Sequence, residues 1–163
     1  MKLTMDSINE ILKGKLQNLV SFLCQITDGF ETLADDIECT NLRTAIIAIS
    51  VESKQYAEEI SDQLQELNVP VQFTPLPATD QLWNSIETNI HEQASLAKGG
   101  EIAALCNNCE TYFNKLYEDI LQECFPIKNF RDIITYQLYA TQCAFMKIRL
   151  LNTLRFSNKA SVN

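Results

Sequence analysis

The chain has few of the residues that interrupt regular structure, with four glycines and four prolines among 163 residues. A β-sandwich or a long disordered tail needs more of them in its turns and linkers, whereas long helices tolerate this composition. Hydrophobic residues make up 46% of the sequence, which is enough to build one continuous core at this length. The composition therefore predicts a single all-α domain that spans residues 1–163.

Long apolar runs and an excess of basic residues are also missing. No run approaches the roughly 18 residues that span a bilayer, and residues 1–6 carry no apolar signal-peptide core, so we expect a cytoplasmic protein without an integral membrane segment. The net charge of −8 argues against nucleic acid as a partner, because binding to phosphates needs clustered Lys and Arg.

The few basic residues are unevenly placed. Acidic residues dominate from Asp28 to Glu123, whereas the last stretch carries six basic residues and only Asp132 as an acid. A basic last helix is interpreted either as a patch for an anion or a partner, or as a helix packed beside acidic helices. The second interpretation is favoured. The six basic residues are Lys128, Arg131, Lys147, Arg149, Arg155 and Lys159.

Six cysteines are scattered through the helical patterns of a chain that is too large to need disulfide bonds. We expect reduced and mostly buried thiols rather than disulfides. The six are Cys24, Cys39, Cys106, Cys109, Cys124 and Cys143.

Apolar residues recur at intervals of three and four positions along four long stretches, which predicts four main helices. Ser7 and Glu10 have the spacing of a capping box at the start of the first helix. The short polar break after Cys39 predicts an antiparallel hairpin between the first two helices. The expected ranges are about 7–38, 41–67, 100–124 and 129–156.

A shorter helix is predicted between the second and third main helices. Pro70 ends the second helix, and Asp80 caps a segment at about 80–98 that Gly99 closes. A loop followed by a helix of this length is long enough to cross along the bundle. The main helices are therefore expected to run up, down, down and up.

Several local patterns are found together in one known family. They are residues 28–34 in the first helix, Leu42-Arg43, Trp83, Lys98-Gly99-Gly100, residues 106–110 with Tyr117, and Gln137-Leu138 with Ile148-Arg149. In these patterns, and over nearly its whole length, the chain resembles a family of small bacterial ferritin-like four-helix-bundle proteins, a domain of unknown function. The resemblance implies a ferritin-like bundle with a crossover helix and implies no particular activity.

A ferritin-like bundle also raises the expectation of a di-iron or di-manganese centre, built from one Glu on each of two helices and Glu-x-x-His on the other two. This sequence lacks those ligands. Gln55 and Phe113 stand where the motifs beginning at Glu52 and Glu110 require histidine, and the single His91 falls in the predicted crossover. The last helix has no Asp, Glu or His after its first turn. No metal or cofactor is expected.

Four residues remain as weak candidates for an altered site. Cys106 and Cys109 have Cys-x-x-Cys spacing, which zinc and redox sites use, although buried inert thiols are the favoured interpretation. Glu52 and Glu110 face either the core or solvent, and the pattern leaves both possibilities open. Neither a nucleophile with a base nor a phosphate-binding loop is present, so we expect no enzyme.

The sequence therefore predicts a non-enzymatic bundle that acts through protein–protein contacts, either by self-association through a helix face as a homo-oligomer or with another protein. The alternative is a ligand- or metal-binding ferritin-like protein with an altered, non-di-iron site at Glu52, Glu110, Cys106 or Cys109. A third hypothesis is association of the basic last helix with anionic membrane surfaces. Seven aromatic residues are expected in the core more readily than around a pocket: Tyr56, Tyr112, Phe113, Tyr117, Tyr136, Tyr139 and Phe145.

Overall fold

The computed structural model describes residues 8–35, 37–71 and 99–162, with side chains described for 8–35, 37–71 and 104–154. These ranges contain four helices and no strand, so the predicted all-α class is confirmed. The helices are α1 (Glu10–Asp35), α2 (Thr40–Glu66), α3 (Gly99–Leu121) and α4 (Lys128–Val162). The crossover helix predicted at about 80–98 lies outside the described residues.

The ends of α1 and α2 follow from local hydrogen bonding. The side-chain oxygen of Asn9 accepts a bond from the Leu12 amide at 2.7 Å and caps α1, whereas the predicted cap Ser7 lies outside the described residues. Asn68 adopts a left-handed φ of 60° after α2, and the Val69 amide donates back to the Leu64 carbonyl at 2.8 Å. This arrangement is a Schellman closure with Asn in the place of the usual glycine.

Three of the four helices have boundaries that differ from the expected ones. Helix α1 covers Glu10–Asp35 and is three residues shorter at each end than the expected range of about 7–38. Helix α3 ends at Leu121 rather than near 124, and the Glu123 amide bonds to the Ile120 carbonyl in the turn that follows. Helix α4 continues to Val162, six residues beyond the expected end at 156. No proline or glycine interrupts this last stretch of the sequence, so nothing in it forces the helix to stop.

The four helices form a square in which α1 packs on α2 and α3, and α4 packs on α2 and α3. The start of α1 meets the end of α3, since the Lys15 ammonium lies 2.9 Å from the Glu123 carboxylate. Gln137 of α4 bonds to Tyr56 of α2, and Thr141, further along α4, lies beside Ile49, which is earlier in α2. Each of these neighbouring pairs is therefore antiparallel, and the diagonal helices α2 and α3 run in the same direction.

Aromatic side chains fill the centre of the bundle. The Phe113 ring lies 4.9 Å from the Phe22 ring and 5.5 Å from the Phe145 ring, both in edge-to-face contact. Phe30 contacts Phe145 at 6.3 Å between ring centroids. Such contacts add to the free energy gained by burying the rings, so the packed aromatic side chains stabilise the centre of the bundle. None of the helices in the described ranges is long and apolar enough to cross a membrane.

Candidate functional site

Cys106 and Cys109 both lie buried on the inner side of α3. Burial raises the pKa of the Cys106 thiol to about 12, although the nearby Arg149 guanidinium lowers it and the Glu110 carboxylate raises it. Burial likewise raises the pKa of Cys109 well above its ordinary value. A thiol must lose its proton to bind a metal or act as a nucleophile, so these two side chains are held in an unreactive state.

The other four cysteines differ in exposure. Cys24 and Cys39 are half-buried, whereas Cys124 and Cys143 are exposed, and all six are free. The expectation of reduced thiols agrees with this arrangement, but the expectation of burial is wrong for Cys124 and Cys143. Cys124 follows the end of α3, and Cys143 lies on the outward side of α4.

Glu110 of α3 is paired with Arg149 of α4. A guanidinium nitrogen of Arg149 donates to the Glu110 carboxylate, which is only 15% exposed, while the Arg149 side chain is 37% exposed. A mostly buried carboxylate needs such a partner because isolated burial of a charge is costly. The open question from the sequence is thereby answered for Glu110, which faces α4 and neutralises a cation there.

Glu52 of α2 lies on the other side of α4. It lines a narrow space with Tyr56 and Thr141 that is too small to hold a water molecule. Burial raises the pKa of Glu52 above its ordinary value, and the charge of Lys147 on α4 partly offsets that rise. Among the residues that the structure describes, Glu52 is therefore a half-buried carboxylate near the cation Lys147, without a second carboxylate lining this space.

The four candidate residues do not assemble into one site. Glu52 and Glu110 belong to the diagonal helices α2 and α3, and each is balanced by a different cation on α4. Across the part of the chain that the structure describes, no three His, Cys, Asp or Glu side chains are grouped to hold a metal ion. Phe113 and Phe145 occupy the centre where facing carboxylates would be required. The residues present do not fit a di-iron centre.

A buried polar chain that the sequence analysis did not identify links three helices. The Tyr117 hydroxyl of α3 donates to the side-chain oxygen of Gln137 of α4 at 2.8 Å. The Gln137 amide then donates to the Tyr56 carbonyl of α2 at 3.3 Å and to the Glu59 carboxylate at 2.9 Å. Gln137 and Tyr117 are fully buried, and their polar atoms are satisfied by one another, which fixes the register of the helices.

The position of Gln137 in the sequence indicates that its side chain is buried. It lies three residues after Ile134 and eight before Phe145, in phase with the buried apolar positions of α4. A glutamine in that phase predicts a polar partner within the core, because a buried amide without partners is costly. Its partner Tyr117 could not be chosen from the sequence, since that depends on the relative register of α3 and α4.

The surface of α3 that points away from the core lines an open polar depression. Its described lining comes from this one helix and mixes acidic, basic and amide side chains, without an apolar floor. Small-molecule sites are usually enclosed and mostly apolar, whereas this depression is open and polar. The lining residues are Thr111, Asn114, Lys115, Glu118, Asp119 and Gln122.

The outward side of α4 is the most distinctive surface of the protein. Tyr136 lies nine positions from the buried Phe145, and Tyr139 lies nine positions from the buried Ile148. Nine residues make two and a half helical turns, so these tyrosines point directly away from the core. The expectation that Tyr136 and Tyr139 lie in the core is wrong, because α4 is apolar on both of its sides.

Six residues make up this surface, which we name the outer stripe: Tyr136, Tyr139, Cys143, Met146, Leu150 and Leu154. The five large side chains are between 53% and 65% exposed, and Cys143 in the middle of them is also exposed. Scattered exposed apolar residues are normal, whereas contiguous apolar patches are found at protein or membrane contact sites, in ligand-binding grooves and at aggregation-prone surfaces. No other helix has more than two exposed large apolar side chains among its described residues.

Comparison of the chain with protein-family models, curated proteins and solved structures finds no match.

Proposed function

We propose that this chain is a ferritin-like helical bundle, located in the cytoplasm, that acts without catalysis through protein–protein contacts made by the outer stripe of α4. The observation that carries the proposal is the exposure of five large apolar side chains in one row, opposite the core-facing side of the same helix. The directions of the four helices and the resemblance of the sequence support the ferritin-like plan, with the predicted crossover joining α2 to α3.

Two features of the interior favour contact over chemistry. The thiols of Cys106 and Cys109 are buried with raised pKa values, and the Glu110 carboxylate is already paired with Arg149. Catalytic groups need access to a substrate and a pKa matched to their task, and the two thiols have neither. The Glu110 carboxylate is mostly buried against Arg149. The outer stripe, by contrast, combines exposed tyrosines with aliphatic side chains, and tyrosine is enriched at the energetically important positions of interfaces.

Photo-cross-linking in the cells that produce the protein tests this proposal. A photoreactive phenylalanine analogue is placed at position 139 or 146 in the outer stripe, and as a matched control at position 51, since Val51 is an exposed apolar residue of α2. We expect cross-linked protein products, of this chain or of another, several-fold more abundant from positions 139 and 146 than from position 51. Equal yields from all three positions would contradict the proposal.

The alternative function, an altered metal or ligand site, has its own test. Elemental analysis of protein purified without chelators, before and after reconstitution, measures the metal content per chain. A stoichiometric metal that is lost in Glu52→Gln or Cys106→Ser would support the alternative, and a content below about one tenth of a metal per chain would exclude it.

A further inference from the structure

We propose that the occupant of the outer stripe is a second copy of this chain, packed with its α4 antiparallel to the first about a two-fold axis beside Cys143. This inference rests on the proposed function, which assigns the outer stripe to a protein contact, and it names the partner. It is carried by the area of the stripe, the spacing of its residues, and the distribution of charge along α4.

The exposed area matches the needs of a stable dimer. Five large side chains that are 53% to 65% exposed leave on the order of 500–600 Å² of mostly apolar surface, if a tyrosine offers roughly 200 Å² in total. A standard dimer buries about 800 Å² per partner, of which the apolar part is about 65%, or roughly 520 Å². The outer stripe therefore supplies the apolar core of one such interface and leaves the rim to its flanks.

The spacing of the outer stripe suits another helix as its partner. Tyr136, Tyr139, Cys143, Met146 and Leu150 follow one another at intervals of three, four, three and four residues. This alternation is the a and d pattern of a two-helix seam, in which each side chain inserts between residues of the facing helix. A second α4 presents the same pattern, so the surface is complementary to itself, as a two-fold interface requires.

Charge does not oppose the approach of two identical surfaces. Residues 133–146 of α4 contain no charged side chain. The next two charges along the helix are balanced within the same protomer, since Lys147 lies near the Glu52 carboxylate and Arg149 is paired with Glu110. Like charges brought together across an interface cost several kcal/mol, and this stretch of α4 avoids that cost.

The opposed helix dipoles favour the antiparallel direction, because the two macrodipoles point in opposite directions in an antiparallel pair and are aligned in a parallel one. The charges at the two ends of α4 do not decide the direction. The first turns carry Lys128 and Arg131 beside Asp132, and the Lys128 ammonium lies 3.8 Å from the Asp132 carboxylate, while the sequence places Arg155 and Lys159 in the last turns. When Cys143 of one copy lies opposite Met146 of the other, the outer stripes of the two helices are aligned. Position 132 of each helix then lies opposite position 157 of the other.

The mass of the purified protein tests the identity of the partner. Sedimentation equilibrium of the wild-type chain is expected to give about twice 18.5 kDa at 10–50 μM, because standard-size interfaces commonly reach micromolar affinity or better. Met146→Lys with Leu150→Lys is expected to weaken dimerisation roughly 100-fold or more, since it buries two cations in the interface. Val51→Lys makes the same chemical change on exposed α2 and is expected to leave the dimer intact.

Cross-linking at single cysteines tests the direction of packing. In a Cys124→Ser background, Cys143 is expected to form an interchain cross-link with a short bis-maleimide, because positions three residues apart on helices 8–10 Å apart lie within its reach. With Cys143→Ser and Tyr136→Cys, the same reagent should fail, since the two new thiols would lie roughly 25 Å apart along the antiparallel helices. Efficient cross-linking at 136 would overturn the antiparallel arrangement.

The remaining outcomes separate this inference from the proposed function. A chain that stays at 18.5 kDa at 50 μM while positions 139 and 146 cross-link to another protein in cells overturns the second copy and retains the contact function. A monomer whose Cys143 is protected from thiol reagents shows that the stripe is covered within the chain, and it overturns both. A dimer that survives Met146→Lys with Leu150→Lys uses another surface and overturns this inference. Equal cross-linking yields from positions 51, 139 and 146 would then overturn the proposed function as well.

Discussion

The inner and outer sides of α4 are similar in apolar content and differ in what covers them. On the inner side, Phe145 is packed against Phe113 and Phe30, and Gln137 is bonded to α2 and α3. On the outer side, Tyr136 and Tyr139 are more than half exposed. Burial of the inner side stabilises the folded chain, whereas the exposed outer side contributes little to its stability. This difference between the two sides is the reason for our proposal that the outer stripe contacts another molecule.

The largest expected effect is on the free energy of unfolding when one aromatic ring is removed from the inner side of α4, compared with removal of one ring from its outer side. Phe145→Ala removes a fully buried side chain from the inner side of α4 and is expected to lower the free energy of unfolding by about 3–5 kcal/mol. Tyr139→Ala, measured by urea unfolding at the same low protein concentration where the chain is monomeric, is expected to change it by about 0.5 kcal/mol or less. Similar losses from both variants would remove the distinction between the sides.

The next effect concerns the polar chain on the inner side. Gln137→Leu leaves the Tyr117 hydroxyl buried without its acceptor, so we expect a loss of about 1–3 kcal/mol in the free energy of unfolding. Tyr117→Phe in the same protein removes the orphaned hydroxyl and is expected to recover part of that loss. Urea titration of both single variants and the double variant measures the coupling. Strictly additive losses would show that the bond has no role in stability.

A smaller effect is expected at the ion pair beside Cys106. Arg149→Met leaves Glu110 as a mostly buried carboxylate without a cation, and we expect a loss of about 1–2 kcal/mol, reduced from fully buried cases because Arg149 is partly exposed. Glu110→Gln leaves the more exposed partner and should cost less. A larger loss in Glu110→Gln than in Arg149→Met, measured by thermal unfolding at one pH, would contradict this assignment.

Thiol reactivity distinguishes buried from exposed cysteines in the native protein, without a substitution and without a change in stability. At pH 8 a pKa of about 12 leaves Cys106 roughly one part in ten thousand ionised, and burial blocks access as well. Cys124 is exposed and is expected to react with a chromogenic disulfide reagent within minutes, whereas Cys106 and Cys109 react only after unfolding. Rapid reaction of more than the four unburied cysteines in native protein would contradict the buried assignment of this pair.

The sequence predicts helices well because periodicity is a local property. The start of α2 at Thr40 and its end before Asn68 follow from nearby residues, and the observed bounds lie within one residue of the expected ones. The cap of α1 is less certain from sequence, since Asn9 and Ser7 both have suitable side chains. Nothing local decides between them.

The candidate site depends on relations between helices, which a single sequence does not contain. Whether Glu52 and Glu110 converge is decided by which helices are diagonal, and the structure separates them on either side of α4. The sequence predicts a core position for Tyr136 and Tyr139, because aromatic residues at helical spacing usually lie in the core. Two apolar stripes on one helix give the same local pattern as one wide stripe, and only the position of the neighbouring helices distinguishes them.

The reactivity of Cys143 tests the contact between two copies, because this exposed thiol lies in the middle of the outer stripe of the unmodified protein. The alkylation rate of Cys143 is measured by mass spectrometry from about 0.1 to 100 μM protein, with the exposed Cys124 as an internal reference. We predict that the rate at Cys143 falls by tenfold or more as concentration rises, while the rate at Cys124 stays constant. A rate at Cys143 that is independent of concentration and equal to that of Cys124 would contradict a contact between two copies on this surface.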